Sequence, residues 1–244
     1  MNGSSTAFII LALIAGFTGG FLLANKLNGS EIASLRAQIG QQPTANSNQS
    51  QPNGDTALTT DELKAKIAEA DRNPTNFVYQ KNLGVSLYRY ASMKQDNELL
   101  GESIRILTRA NSLDGRDFDV LVALGNAHFD VGFFKKNLSS FLTARDVYTK
   151  ALDIKPGDAD VRTDLGISYF VQEPPAYDKA IAELQKVLSA EPKHNRALQF
   201  LVQVYTKQGK LPDAEKALAK LKEANPNEPA ISDLASQLSA ARNK

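Results

Sequence analysis

The residues able to carry chemistry are few. The chain has 244 residues, two histidines (His128 and His194) and no cysteine. Without cysteine there are no disulfides, thiolate nucleophiles or Cys-based metal sites. No carboxylate or second histidine stands at ligand spacing from His128, so it reads as a packed side chain rather than a metal ligand or base. His194 falls in a turn and reads as solvated. No HExxH, phosphate-cradling glycine loop, nucleophile–base set or paired carboxylates appear. The expectation is a non-catalytic chain with no metal, no cofactor and no small-molecule substrate. A formal net charge of +1 gives no general attraction to nucleic acid. What remains to be explained is apolar patterning.

The first apolar feature is AFIILALIAGFTGGFLLA, residues 7–24, after a short tail at 1–6. An uncharged run of this length is close to what spans a bilayer core. No basic residue precedes it and Leu22 occupies −3 of the best cleavage point, so a transmembrane anchor is read rather than a cleaved signal. Ala12, Gly16, Gly20 and Ala24 recur every fourth residue. Such a small-residue stripe pairs helices in lipid, which makes a homo-oligomer one expected partner. Lys26 and Arg36 follow the span and place the C-terminal bulk on the cytoplasmic side by the positive-inside rule. Residues 25–39 suit a juxtamembrane helix with Ile32, Leu35 and Ile39 on one side. Residues 40–57 are polar and low in complexity and read as a flexible linker. Its reach is roughly 20–25 Å.

Order is expected over 58–244. Thr59 and Glu62 form a capping box and open a lead-in helix over 59–72. Leu-Gly then occurs at 83–84, 124–125 and 165–166, spaced by 41 residues. Leu87, His128 and Tyr169 each follow the glycine by three. Second apolar stripes run through Ser103–Ala110, Ala144–Leu152 and Ala180–Leu188, and end at Gly115, Pro156 and Pro192. A fourth unit holds Leu201, Val202, Tyr205, Ala214, Leu218, Leu221 and Pro226. Each unit reads as helix–turn–helix with one apolar face per helix. None can bury that face alone, so the units must stack.

These residues resemble the tetratricopeptide repeat family, whose unit of about 34 residues carries Leu-Gly and Tyr in its first helix, Ala in its second and a closing Pro. The resemblance implies an all-α, right-handed superhelical solenoid of four hairpins starting near 77, 118, 159 and 195, with a capping helix over 229–241. The first two units each carry seven extra residues, expected to lengthen the second helix by about two turns. That insertion holds Phe133, Phe134, Leu138, Phe141 and Leu142, and any of them left exposed would make a contact patch.

In this family the first helices line a concave groove for a protein or peptide. Carried over, the groove positions are Val78, Lys81, Val85, Tyr88 and Arg89; Asp119, Val122, Asn126, Phe129 and Asp130; Asp160, Thr163, Ile167, Phe170 and Val171; and Arg196, Gln199, Gln203, Thr206 and Lys207. Tyr88, Phe129 and Phe170 share one register, read either as a row of groove anchors or as inter-repeat packing. The charges are graded along the groove, with Lys81 and Arg89 at one end, Asp119, Asp130 and Asp160 in the middle and Arg196 and Lys207 at the other. No single-sign strip runs its length, which argues against nucleic acid. Lys81 is followed by Val85 where the family's clamp for acidic tails has asparagine, so that mode is not expected. The function expected is a membrane-anchored adaptor. The rival is an exported assembly factor of the bacterial envelope, of the kind that handles apocytochrome c.

Overall fold

The computed structural model describes residues 60–243. The tail, the apolar run with Ala12, Gly16, Gly20 and Ala24, the juxtamembrane segment and the linker lie outside the described residues. The described residues form ten α-helices: α1 (Thr60–Arg72), α2 (Phe77–Lys94), α3 (Asn97–Leu113), α4 (Phe118–Lys135), α5 (Leu138–Ile154), α6 (Ala159–Val171), α7 (Tyr177–Ala190), α8 (Asn195–Gln208), α9 (Leu211–Ala224) and α10 (Ala230–Arg242). Helices α2–α9 make four consecutive antiparallel hairpins, each packed on the next.

The hairpins start and turn by one recurring device. Each of the first three opens on a first helix capped by the residue before it, which accepts from the third amide of the helix. Asn76 takes Tyr79 N at 3.1 Å, Asp117 takes Val120 N at 2.9 Å and Asp158 takes Val161 N at 2.9 Å. Such caps satisfy amides that have no partner within the helix. Gln95, Lys136 and Gly209 end α2, α4 and α8 in the left-handed region, with φ of 54°, 51° and 81°. Asp96 and Asn137 then cap the returning helices. The third hairpin turns differently. Its α6 stops at Val171, before Pro174 and Pro175, and the peptide Glu173–Pro174 is cis.

The crossing point within each of the first three hairpins is glycine. A Cβ at Gly84 would meet Leu107 at 2.8 Å, one at Gly125 would meet Tyr148 at 2.6 Å, and one at Gly166 would meet Leu184 at 3.2 Å. The glycine therefore admits a large residue of the second helix to the backbone of the first. Leu107, Tyr148 and Leu184 are all essentially buried there. The fourth hairpin has Val202 instead, also fully buried.

The seven extra residues of the first two units are divided between the arms. Helices α2 and α4 have 18 residues and α8 has 14, while α3 and α5 have 17 and α9 has 14. This corrects the expectation that the second helix alone is lengthened. A hairpin grows only by extending both arms together, because the added turn of either must pack on the other. Phe141 does so against Gly132, where a Cβ would sit 3.0 Å from its ring.

The ends are closed. Leu63 and Ala70 of α1 are buried against Leu87 and Ile106, with Ile67 half-buried beside them. Leu234 and Leu238 of α10 are buried, while Ser232, Asp233, Ser236 and Ser239 face solvent. Both helices give the stack a polar outer surface, as a solenoid end requires.

The glycines separate packing from propensity. Gly101 is exposed in α3, and a Cβ placed there would have nothing within 4 Å. Gly101→Ala therefore gains helix propensity and stabilises by about 0.5–1 kcal/mol. Gly125→Ala overpacks Tyr148 at a cost of about 1–3 kcal/mol, offset in part by the same gain. Urea denaturation should move the two midpoints in opposite directions.

Candidate interaction surface on the inner helices

The first helix of every hairpin touches the first helix of the next, in the pairs α2–α4, α4–α6 and α6–α8, whereas the second helices lie farther apart. Successive hairpins therefore converge on α2, α4, α6 and α8, which form the inner layer. The groove positions carried over from the family resemblance all lie on these helices, but they divide into three groups.

One group is buried. Tyr88 and Phe129 are 4% exposed, Asp130 is 3%, Ile167 1% and Thr163 0%. These side chains support the inner layer and are not open to a ligand. Phe129 stacks on Phe133 at 6.5 Å and meets Phe141 edge-on at 5.5 Å. The in-register row of Tyr88, Phe129 and Phe170 therefore runs through the seam for its first two members. Phe170 alone is half-buried, against Tyr177 at 6.2 Å.

A second group is held by partners in adjacent repeats. Lys81 Nζ donates to Asp117 at 2.7 Å and to Asp119 at 2.8 Å. Arg196 pairs with Asp164. Within its own hairpin, Tyr148 donates to Asn126 Oδ1 at 2.8 Å. The charges graded along the sequence are thus largely used to fasten one hairpin to the next. Asp71 on α1 is bound in the same way by Arg105 and Arg109 of the first hairpin, which hold its carboxyl below the usual range. Between the second and third hairpins the fastener is Arg145. It donates to Ser168 Oγ at 2.9 Å, Ser168 O at 2.9 Å and Gln172 Oε1 at 2.5 Å, and lies 4.1 Å over the Tyr169 ring.

The third group is accessible. Val78 is 62% exposed and Arg89 is exposed, while Val85, Val122, Phe170, Val171, Gln199 and Gln203 are half-buried. This surface is apolar and amide-rich, with little unbalanced charge. It can take up hydrophobic side chains and bond a backbone through its amides.

The histidines fit this picture. His128 is half-buried, and burial lowers its pKa. His194 is not the solvated turn residue expected. It caps α8, its Nδ1 accepting from Ala197 N at 3.2 Å, and its Nε2 stands 3.3 Å from Asp160. An accepting Nδ1 leaves the proton on Nε2, aimed at that carboxylate. Among the described residues no group of three His, Asp or Glu could hold a metal. A hollow lined by Pro156, Ala159, Arg162, Lys186 and Val187 has both cations turned to Glu183, at 3.1 and 2.7 Å.

Residues 176–238 match the family model described as tetratricopeptide repeat. No curated protein sequence matches the chain. Among solved structures, MamA is 23% identical over 68% of this chain and 88% of its own, with a TM-score of 0.54. A thermophilic tetratricopeptide protein of Thermus thermophilus is 19% identical over 75% of this chain and 90% of its own, at 0.53. PilW is 18% identical over 75% and 83%, at 0.54. The fold is that of the tetratricopeptide repeat. In these terms the buried first-helix side chains are the seams between repeats, and the third group above is what the inner layer leaves accessible.

The seam holds one titratable group whose ionisation the residue pattern does not reveal. Asp130 is buried beside Tyr88 and Asp164, and its Oδ2 and the Tyr88 hydroxyl lack a well-formed hydrogen bond. Burial pushes its pKa from 3.8 up to about 7, with Asp164 adding to the rise and Ser92 opposing it. A folded-state pKa above the unfolded value means that the stability contributed by this group is fully present below about pH 4 and is lost as pH rises to about 7. Asp130→Asn should remove that dependence and be the more stable protein at pH 7, by an amount on the order of a few kcal/mol. Denaturation midpoints of both proteins from pH 4 to 8 measure it.

Proposed function

We propose that the chain is a membrane-anchored, non-catalytic adaptor that holds an extended or helical segment of a protein partner along its inner helices. The observation that carries this is the divided inner layer. Seam residues and inter-repeat ion pairs occupy many of the charged and most of the buried positions. Val78, Val85, Val122, Val171, Gln199 and Gln203 are left as an open, largely uncharged strip across all four repeats, with Arg89 exposed beside it. Apolar positions with interspersed amides suit peptide recognition, and rigid helices hold them ready without a cost in ordering.

The anchor in this reading is the apolar run at 7–24, since no helix among the described residues is long and apolar enough to cross a membrane. The linker at 40–57 would let the groove sample a shell around that anchor, raising its effective concentration near membrane-bound partners. Lys26 and Arg36 favour a cytoplasmic groove. An exported assembly factor is the second reading. PilW, which shares the fold, is described as a type IV pilus biogenesis factor. A topology reporter fused after Lys244 separates the two sides, and an external signal would overturn the cytoplasmic placement.

For the groove itself, a photo-crosslinker at Val122 or Gln203 should capture a partner segment, whereas one at exposed Lys150 on the outer helix α5 should not. Val122→Glu should reduce capture about tenfold, the effect of losing one central contact worth about 1.4 kcal/mol. Equal capture from Lys150, or capture unchanged by Val122→Glu in a folded protein, would overturn the groove assignment.

A further inference from the structure

The second hairpin ends in a projecting corner that the groove does not use. Helix α4 runs to Lys135, whereas α6, aligned on the 41-residue spacing, stops at Val171, the equivalent of Asp130. The second hairpin thus extends five residues, about 7 Å at 1.5 Å per residue, past its neighbour. On this overhang Leu138 and Leu142, one turn apart on α5, are 43% and 53% exposed. The side of the hairpin that a full-length third repeat would cover is bare.

The overhang also has a distinct charge. Lys135 and Lys136 are exposed at the turn, and no Asp or Glu occurs from 131 to 145. The ion pairs that lysines make among the described residues involve Lys81, Lys186, Lys210 and Lys216, so neither tip lysine is neutralised. The corner is stiff, because Phe129, Phe133 and Phe141 pack beneath it.

We propose that this tip is a lipid-contacting surface that seats on an anionic bilayer. Two leucines enter the boundary between headgroups and acyl chains, and the lysine ammoniums meet headgroup phosphate and carboxylate. A protein partner fits less well. Lysine is depleted at protein interfaces, and a convex corner offers no pocket, whereas a bilayer presents a soft, flat, negative surface. Seating the tip would fix the orientation of a solenoid that a linker alone leaves free. The inference rests on the anchor reading above for delivery of the domain to a membrane.

The absence of native cysteine makes the test direct. Ser139→Cys, exposed in the first turn of α5, is labelled with an environment-sensitive fluorophore in the full chain. The protein is reconstituted into vesicles of phosphatidylcholine alone or with phosphatidylserine. The label should shift to the blue and be quenched by spin-labelled lipid in the anionic vesicles, while the same label at Ser236→Cys on α10 stays in water. Lys135→Gln with Lys136→Gln should lower the docked-to-free ratio on the order of 30-fold, the combined effect of two lysines at such a surface, and Leu138→Ser with Leu142→Ser should abolish docking. A chain that stays with vesicles but keeps its tip label in water overturns this inference alone. One that stays with neither vesicle overturns the anchor reading as well. Protection that appears without lipid and grows with protein concentration makes the tip a protein contact and likewise overturns it.

Discussion

Everything in the stack depends on how closely two helices cross at one residue. Where Gly125 faces Tyr148, the ring lies against bare backbone, and only that approach lets the phenol pass through the hairpin to reach Asn126 on the inner side. Gly84 with Leu107 and Gly166 with Leu184 repeat the arrangement with aliphatic side chains. Fixing the crossing fixes which face of each first helix is committed to its own hairpin. The remaining faces must then serve the neighbouring hairpins and the groove. The solenoid follows from this division, since a hairpin whose flank is apolar is incomplete until another covers it.

The seams are where electrostatics enters. Lys81 reaches forward to the second repeat, Arg145 joins the second to the third, and Arg196 reaches back from the fourth to the third. A half-buried pair of this sort adds modest stability, but a broken one leaves an uncompensated charge. Such pairs therefore select the stacking register more than they deepen it. Lys81 and Arg196, turned to neighbouring carboxylates, are thereby not available to an acidic peptide. Burial raises the pKa of Asp130, beside Tyr88 and Asp164, to about 7, and raises that of Asp164 as well.

The repeat was legible because it is written as a period. Leu-Gly at 41-residue intervals, apolar stripes of helical spacing and Pro-marked ends survive in any reading of the residues. The caps at Asn76, Asp117 and Asp158 share the same interval and could have been found by it. The groove was less legible, for a geometric reason. Adjacent helical residues are about 100° apart, so Tyr88 turns into the seam while Arg89 faces solvent, and an apolar residue gives the same signal in either place. Burial of Thr163 and Ile167 and exposure of Val78 depend on how much of each first helix the next one covers. That is a property of the stack and not of the stripe. The role of His194 was hidden similarly, because a histidine rarely caps a helix and only the carboxylate of Asp160 across the seam explains why this one does.

The third repeat is shorter than the second, and the step between them opens surface on two sides. The Glu173–Pro174–Pro175 sequence cannot continue α6, so that helix stops at Val171 and the chain turns through Gln172–Ala176. With no further turn of α6 above them, Phe170 and Val171 are left half-buried on the inner layer, the most apolar part of the groove. On the hairpin before it, the same missing turn leaves Leu138 and Leu142 uncovered at the overhang. Were the third repeat as long as the second, its added helix would cover both places. The step from the 18-residue first helix of the second repeat to the 13-residue one of the third thus leaves accessible apolar area at the edges of the stack.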